Sequence, residues 1–192
     1  MKGLLRVLAG FCALAATALG AAAPKGTAVL PKDSGSFKLV GGDAGKLQTV
    51  DVDGQPFAKA LRIESRNKTA QPWNVQLVAP TSAAVKKGDV LLATFAMRAV
   101  ESNQETGEAI SEMVFERAGP PHEKSTEFPL TANKQWQSFR VPFVARESYP
   151  VGGAHVCFRA GYGQQTFDLA DIQLLNLGQD IDIRTLGGTR LT

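Results

Sequence analysis

VKKGDVLLATFAMRA (85–99), SEMVFERAGPP (111–121), WQSFRVPFVA (136–145) and HVCFRAGYGQQTFDLADIQLLNLG (155–178) carry the reading of this chain. Each block alternates apolar with polar residues, the period of a strand with one face buried and the other wet. In 90–99, Leu91, Ala93, Phe95 and Met97 share one face, opposite Thr94 and Arg98. In 109–117, Met113 and Phe115 oppose Glu112 and Glu116; in 154–161, Val156 and Phe158 oppose His155, Cys157 and Arg159. Leu61 and Ile63 likewise oppose Arg62 and Glu64. One set of faces is apolar and the other carries charges of both signs, as in antiparallel sheets solvated on one side.

Outward from these blocks, turn signals recur and no long segment has helical periodicity. Asp53-Gly54 is a hairpin cue between two apolar runs. Lys87-Gly88-Asp89, Gly119-Pro120-Pro121, Ala132-Asn133-Lys134, Tyr149-Pro150 with Gly152-Gly153, and Gly161 to Gly163 punctuate the rest. Strands are expected near 36–40, 47–52, 58–64, 74–79, 90–99, 109–117, 126–130, 136–144, 154–161 and 166–176. That series fits an all-β fold, a two-sheet antiparallel β-sandwich of the jelly-roll kind.

The first residues read as an export signal. Lys2 and Arg6 form a short basic start, Leu4 to Leu19 is otherwise almost wholly apolar, and Gly20 to Ala23 supply the small residues of a cleavage site. The expected organisation is a signal peptide at 1–23, an approach segment at 24–35, a sandwich at 36–178 and a tail or linker at 179–192. Removing 23 of 192 residues leaves 169, one domain with a real core. The net charge then falls from +3 to +1, and no basic stripe remains to support a nucleic-acid partner. After cleavage no membrane partner is expected, and the chain reads as secreted, periplasmic or extracellular. Cys157 is left without a partner, and its Val-Cys-Phe strand context reads as a buried thiol.

The order of these motifs resembles a family. Trp73, the V-x-x-G-D-V pattern of Val85, Gly88, Asp89 and Val90, Arg98 at a strand end, Trp136, Phe139, Pro142 and Phe143, then Gln165, Asp171, Ile172 and Leu174 look like the carbohydrate-binding modules of families four, nine and twenty-two. The resemblance covers roughly 36–178. It implies a galactose-binding-domain-like jelly roll, of the kind attached to secreted xylanases and other glycoside hydrolases. Such modules commonly open with a Phe-Glu pair whose carboxylate helps hold a structural calcium. Here the pair is Phe37-Lys38, with Asp171 retained on the terminal strand, so no cofactor is required and the calcium stays open.

Sugars offer flat C–H patches edged by hydroxyls, and a groove for them needs an aromatic platform bordered by donors and acceptors. Trp73 is the first platform candidate and Tyr162 the second, with Gln76, Arg98, Glu116 and Gln164 as polar partners. The sequence leaves Trp73 open between platform and core, and Trp136 reads as core. Arg98 and Glu116 have a plainer alternative, an ion pair bridging neighbouring strands. A glycosidase needs two carboxylates flanking a cleft. Glu112 and Glu116, four residues apart on one strand, are expected about 13 Å apart. His122 and His155 have no nucleophile signature or metal-ligand spacing beside them and read as surface or structural histidines. The expectation is a noncatalytic module whose partner is a polysaccharide or oligosaccharide, a plant-type or other β-glycan, together with an associated glycoside hydrolase or a cell surface. Two alternatives stand beside it: an assembly sandwich for protein–protein contact without a sugar site, and the N-terminal part of a larger glycoside hydrolase.

Overall fold

The computed structural model describes residues 25–189; the expected signal peptide lies outside them. Eleven strands form among the described residues: β1 (Thr27–Ala28), β2 (Lys38–Val40), β3 (Gly45–Asp51), β4 (Lys59–Ser65), β5 (Gln76–Pro80), β6 (Val90–Ser102), β7 (Ala109–Arg117), β8 (Lys124–Ala132), β9 (Gln137–Val144), β10 (Ala154–Arg159) and β11 (Gln165–Asn176). One sheet has the order β3-β4-β11-β6-β9, with β1 added against β11; the other runs β2-β5-β10-β7-β8. All pairs are antiparallel. The chain is therefore an all-β sandwich, as its alternation predicts.

The period of two sorts the side chains as expected. Leu91, Ala93, Phe95 and Met97 of β6 meet Met113 and Phe115 of β7 and Val156 and Phe158 of β10 in one core. Aromatic rings cross the gap between the sheets. Phe95 lies parallel to Phe139 at 5.2 Å and takes the edge of Phe158 at 5.0 Å. Phe115 meets Phe143 at 5.3 Å and Tyr149 at 5.5 Å. Offset and edge-on pairs of this kind add to the burial of the rings themselves.

The Gly-Asp of the V-x-x-G-D-V pattern has a physical reason. Gly88 turns the chain at φ 89°, in the left-handed region that favours glycine. Asp89 then accepts from the Lys86 N–H at 2.8 Å and from Asn176 Nδ2 at 2.7 Å, which ties the start of β6 to the end of β11. Burial pushes the Asp89 carboxyl up, but these donors outweigh it and hold the group below its ordinary value.

The outward face of the six-stranded sheet differs from expectation at two side chains. Trp136 is half-buried there, outside the main core. It packs edge-on against Phe57 at 4.9 Å in a satellite cluster with Val52, Ala60, Ala96 and Ala170. Arg98 lies over that indole at 4.7 Å and, with Arg62, pairs with the wholly buried Asp168 at 2.9 and 2.8 Å. Arg98 and Glu116 thus stand in different sheets. The bridge between them that strand spacing allowed does not form.

The two ends of the described chain also carry contacts. Thr27 and Ala28 pair with Asn176 and Leu175. Segment 179–189, read as tail or linker, returns to β9. Thr189 Oγ1 accepts from the Arg140 N–H at 2.8 Å, and the Leu186 carbonyl accepts from Arg140 Nε at 2.8 Å.

Because Phe158 joins the sheets while Phe57 supports only the satellite cluster, truncation should separate the two. Phe158→Ala is expected to lower the free energy of unfolding by about 4 kcal/mol and Phe57→Ala by less than half as much. Urea titrations followed by circular dichroism measure both.

Candidate functional site

The outward face of the five-stranded sheet holds a buried charge. Arg159, last residue of β10, is 6 % exposed, although alternation turns it away from the core. Register sets it beside Gln76 of β5 on one side and Glu112 of β7 on the other. Its Nη1 donates to Glu112 at 2.7 Å and Glu127 at 3.2 Å, and its Nη2 to Glu116 at 3.4 Å. The Trp73 ring lies over the guanidinium, 5.2 Å from centroid to Cζ. Burial alone would lower the Arg159 pKa; the hydrogen bonds and charges of the acids, Glu112 foremost, hold it above its ordinary value.

Around this charge a groove of about 690 Å³ crosses the sheet, lined by Val40, Gln76, Arg159, Glu116 and Lys124 from its five strands and by Gly41, Gly42, Trp73, Asn74 and His122 from its turns. Trp73 stands in a short 3-10 turn, Pro72–Asn74. The turn is fastened to the end of β10: the Pro72 carbonyl accepts from the Gly161 N–H at 3.0 Å, and the Val75 carbonyl from Ala160 at 2.7 Å. A Cβ at Gly161 would collide with Thr69 Oγ1 and stand 2.9 Å from the Pro72 oxygen, so this close approach requires glycine. The indole is nonetheless 45 % exposed. It is therefore a surface residue and not part of the core.

Of the six side chains singled out in the sequence, Trp73, Gln76 and Glu116 line the groove. Tyr162 reaches its Glu112 end; burial first, and then the charge of Glu112, push its phenol up to about 12. Arg98 stands on the other sheet with Asp168. Gln164 lines a separate hollow with Glu64, Arg66, Glu101 and Lys134. Sequence reasoning did not single out Arg159, Glu127 or Lys124. The signal for Arg159 was a basic residue sharing a strand face with His155 and Cys157, but its acids arrive from strands it does not adjoin in sequence.

Two features of the groove bear on chemistry. Gln76 Oε1 and Arg159 Nε are buried without a hydrogen-bond partner, an unused acceptor and donor on register-paired residues. The carboxylates of Glu112 and Glu116 are also nearer than strand rise alone predicts, because both side chains bend to one guanidinium. Glu116 is not set up as a general acid. Burial pushes the Glu116 carboxyl up, but the hydrogen bond with His155 and the charge of Arg159 prevail, and it sits below its ordinary value of 4.5. A glycosidase acid needs the opposite shift.

The calcium that the resemblance left open meets a poor donor set. Asp171 lies at a bulge in β11, and its carboxylate accepts from Gln173 at 2.7 Å. The hollow it lines, between β4, β11 and the N-terminal segment, contains Lys32 and Lys59 and no second carboxylate. Two ammonium groups beside a single acid do not suit a hard divalent cation that takes six to eight oxygens.

The two-sheet sandwich is a fold that solved carbohydrate-binding modules share. Comparison with solved structures bears this out for the fold. A CBM4 module is similar with a TM-score of 0.59 at 14 % identity, over 74 % of this chain and 96 % of that one. The CBM22-1 xylan-binding domain of Xyn10C from Paenibacillus barcinonensis matches with a TM-score of 0.52 at 12 % identity, over 82 % and 99 %. The N-terminal cellulose-binding domain of β-1,4-glucanase C from Cellulomonas fimi gives 0.52 at 15 %, over 79 % and 99 %. No protein-family model and no curated protein matches the sequence.

The Arg159 cluster predicts its own pH dependence. Since Glu116 titrates below 4.5 in the folded chain, its ion pairs contribute stability above that value and lose it as the pH falls through the folded pKa. Arg159→Met leaves three acids without their shared cation and should cost about 3–5 kcal/mol near neutral pH. The deficit should shrink near pH 3, where the acids protonate. Urea unfolding at the two pH values tests this, and an equal deficit at both would show that the charge is not what Arg159 supplies.

Proposed function

We propose that this chain is a secreted, noncatalytic carbohydrate-binding module that holds a β-glycan in the groove beside Trp73. By holding it, the module keeps an associated glycoside hydrolase or a cell surface close to the polymer. The observation that carries this reading is the exposed indole held by a backbone turn over a polar, desolvated floor. A pyranose ring stacks its C–H face on such an indole. Its hydroxyls, each both donor and acceptor, complement the polar side chains that border the ring, Gln76 among them. Asn74, Lys124 and Glu116 supply further partners along the walls. Sugar hydrogen bonds largely replace bonds to water, so the platform carries most of the affinity and the polar walls set which hydroxyls fit. The solved relatives in fold include modules whose names record xylan and cellulose binding, which supports the class of ligand without choosing among glycans.

Affinity electrophoresis against xylan, β-glucan, mannan and cellulose should show retardation on at least one polymer, and no retardation on any of them favours the assembly sandwich instead. On the preferred polymer, Trp73→Ala should weaken binding by about 2 kcal/mol, roughly thirtyfold in Kd. Its thermal midpoint should stay close to that of the parent, since nearly half of the ring already faces water. A large fall in midpoint, or undiminished binding by a stable variant, refutes the platform role.

A further inference from the structure

Beside the groove floor, His155 and Cys157, which sugar binding does not call for, converge on Glu116. His155 and Cys157 project from the same face of β10, and register sets His155 opposite Glu116 of β7. His155 Nε2 is 3.2 Å from Glu116 Oε1, Cys157 Sγ is 3.9 Å from the same oxygen, and the three donor atoms lie within 4.8 Å of one another. A tetrahedral zinc ion, with bonds of about 2.0–2.3 Å, spaces its ligand atoms by roughly 3.3–3.6 Å. The nitrogen–oxygen pair already has that spacing; the sulfur must close by several tenths of an ångström to the oxygen and further to the nitrogen. Cys157 and Glu116 are buried and His155 half-buried, so the ligands are largely shielded from competing water.

We propose that Glu116, His155 and Cys157 form a three-ligand site for a zinc-class divalent cation, with the fourth position taken by water. On coordination the Cys157 S–H bond breaks, the proton passes to solvent and the sulfur lone pair binds the metal. His155 binds as neutral imidazole through Nε2, and Glu116 gives up its contact with that nitrogen to offer an oxygen. One thiolate and one carboxylate then balance the two positive charges. Arg159 steadies the other Glu116 oxygen at 3.4 Å and keeps Glu112 and Glu127 as its own counter-ions. Second-shell bonds of this kind orient ligating carboxylates. Besides Arg159, the titratable groups about Glu116 are His122 and Lys124, its register partner on β8. Because the thiol must lose its proton, affinity should rise with pH across the neutral range.

Cobalt(II) is the probe, since it replaces zinc in tetrahedral sites and is coloured. Titrating the reduced protein should produce visible d–d bands and a near-ultraviolet thiolate-to-cobalt band, saturating at one equivalent, releasing a proton and vanishing when zinc is added. Cys157→Ser should abolish the near-ultraviolet band, and His155→Ala should weaken binding at least tenfold, while Asp171→Asn should change neither. Zinc should also raise the thermal midpoint of the parent protein and slow thiol modification in mild denaturant, two readouts that need no variant to fold. Absence of the thiolate band in the parent, or its survival in Cys157→Ser, overturns the site. None of these readouts involves a glycan, so they succeed or fail independently of sugar binding.

Discussion

A guanidinium shut away from water must be neutralised where it lies, and the outward face of the five-stranded sheet is arranged around that requirement. Arg159 sits on β10, the central strand, with Gln76 on one flank and the acids of β7 and β8 on the other. Without its acids the guanidinium would be an unpaired ion in a medium where that costs several kcal/mol. The same constraint gathers Glu112, Glu116 and Glu127 to one point and draws Trp73 over the cation. A face that alternation alone would leave as scattered surface charge becomes a floor with fixed polar directions.

Most of the architecture was legible because period-two alternation is local: each segment declares its inward side wherever its partners lie. Ten expected segments correspond to β2–β11, with ends displaced by a few residues. β1 escaped because two residues cannot display a period. The site was less legible for a related reason. Alternation says which residues of a strand face outward but not which sheet receives the strand. Arg98 and Glu116 both read as outward-facing polar residues, yet β6 and β7, consecutive in sequence, fall in opposite sheets. Trp73 and Gln76 could be found because a turn next to a strand announces itself. The convergence of Arg159 with Glu112 depends on a pairing between strands separated by a long excursion of chain, and no local pattern encodes it.

The two outward faces handle buried charge in parallel ways with different results. On the six-stranded sheet, Asp168 is enclosed by two arginines and Trp136 covers one of them, giving a closed arrangement in which both carboxylate oxygens are bonded. On the five-stranded sheet the signs are reversed: one arginine faces three acids and Trp73 covers it. That arrangement is not saturated, for a donor and an acceptor remain unused beside an exposed ring. The first is closed over its charge, while the second leaves an open groove above it.

The bonds between segment 186–189 and β9 have a consequence for how copies of this protein behave when crowded. β9 ends the six-stranded sheet, and a free edge is a template on which another chain can add a strand. Here Pro142 offers no N–H, while Thr189 occupies both the N–H and the carbonyl of Arg140. Pro129 interrupts β8 at the corresponding border of the other sheet. Along the β9 and β8 borders, molecules brought side by side would then meet through side chains and not by fusing their backbones.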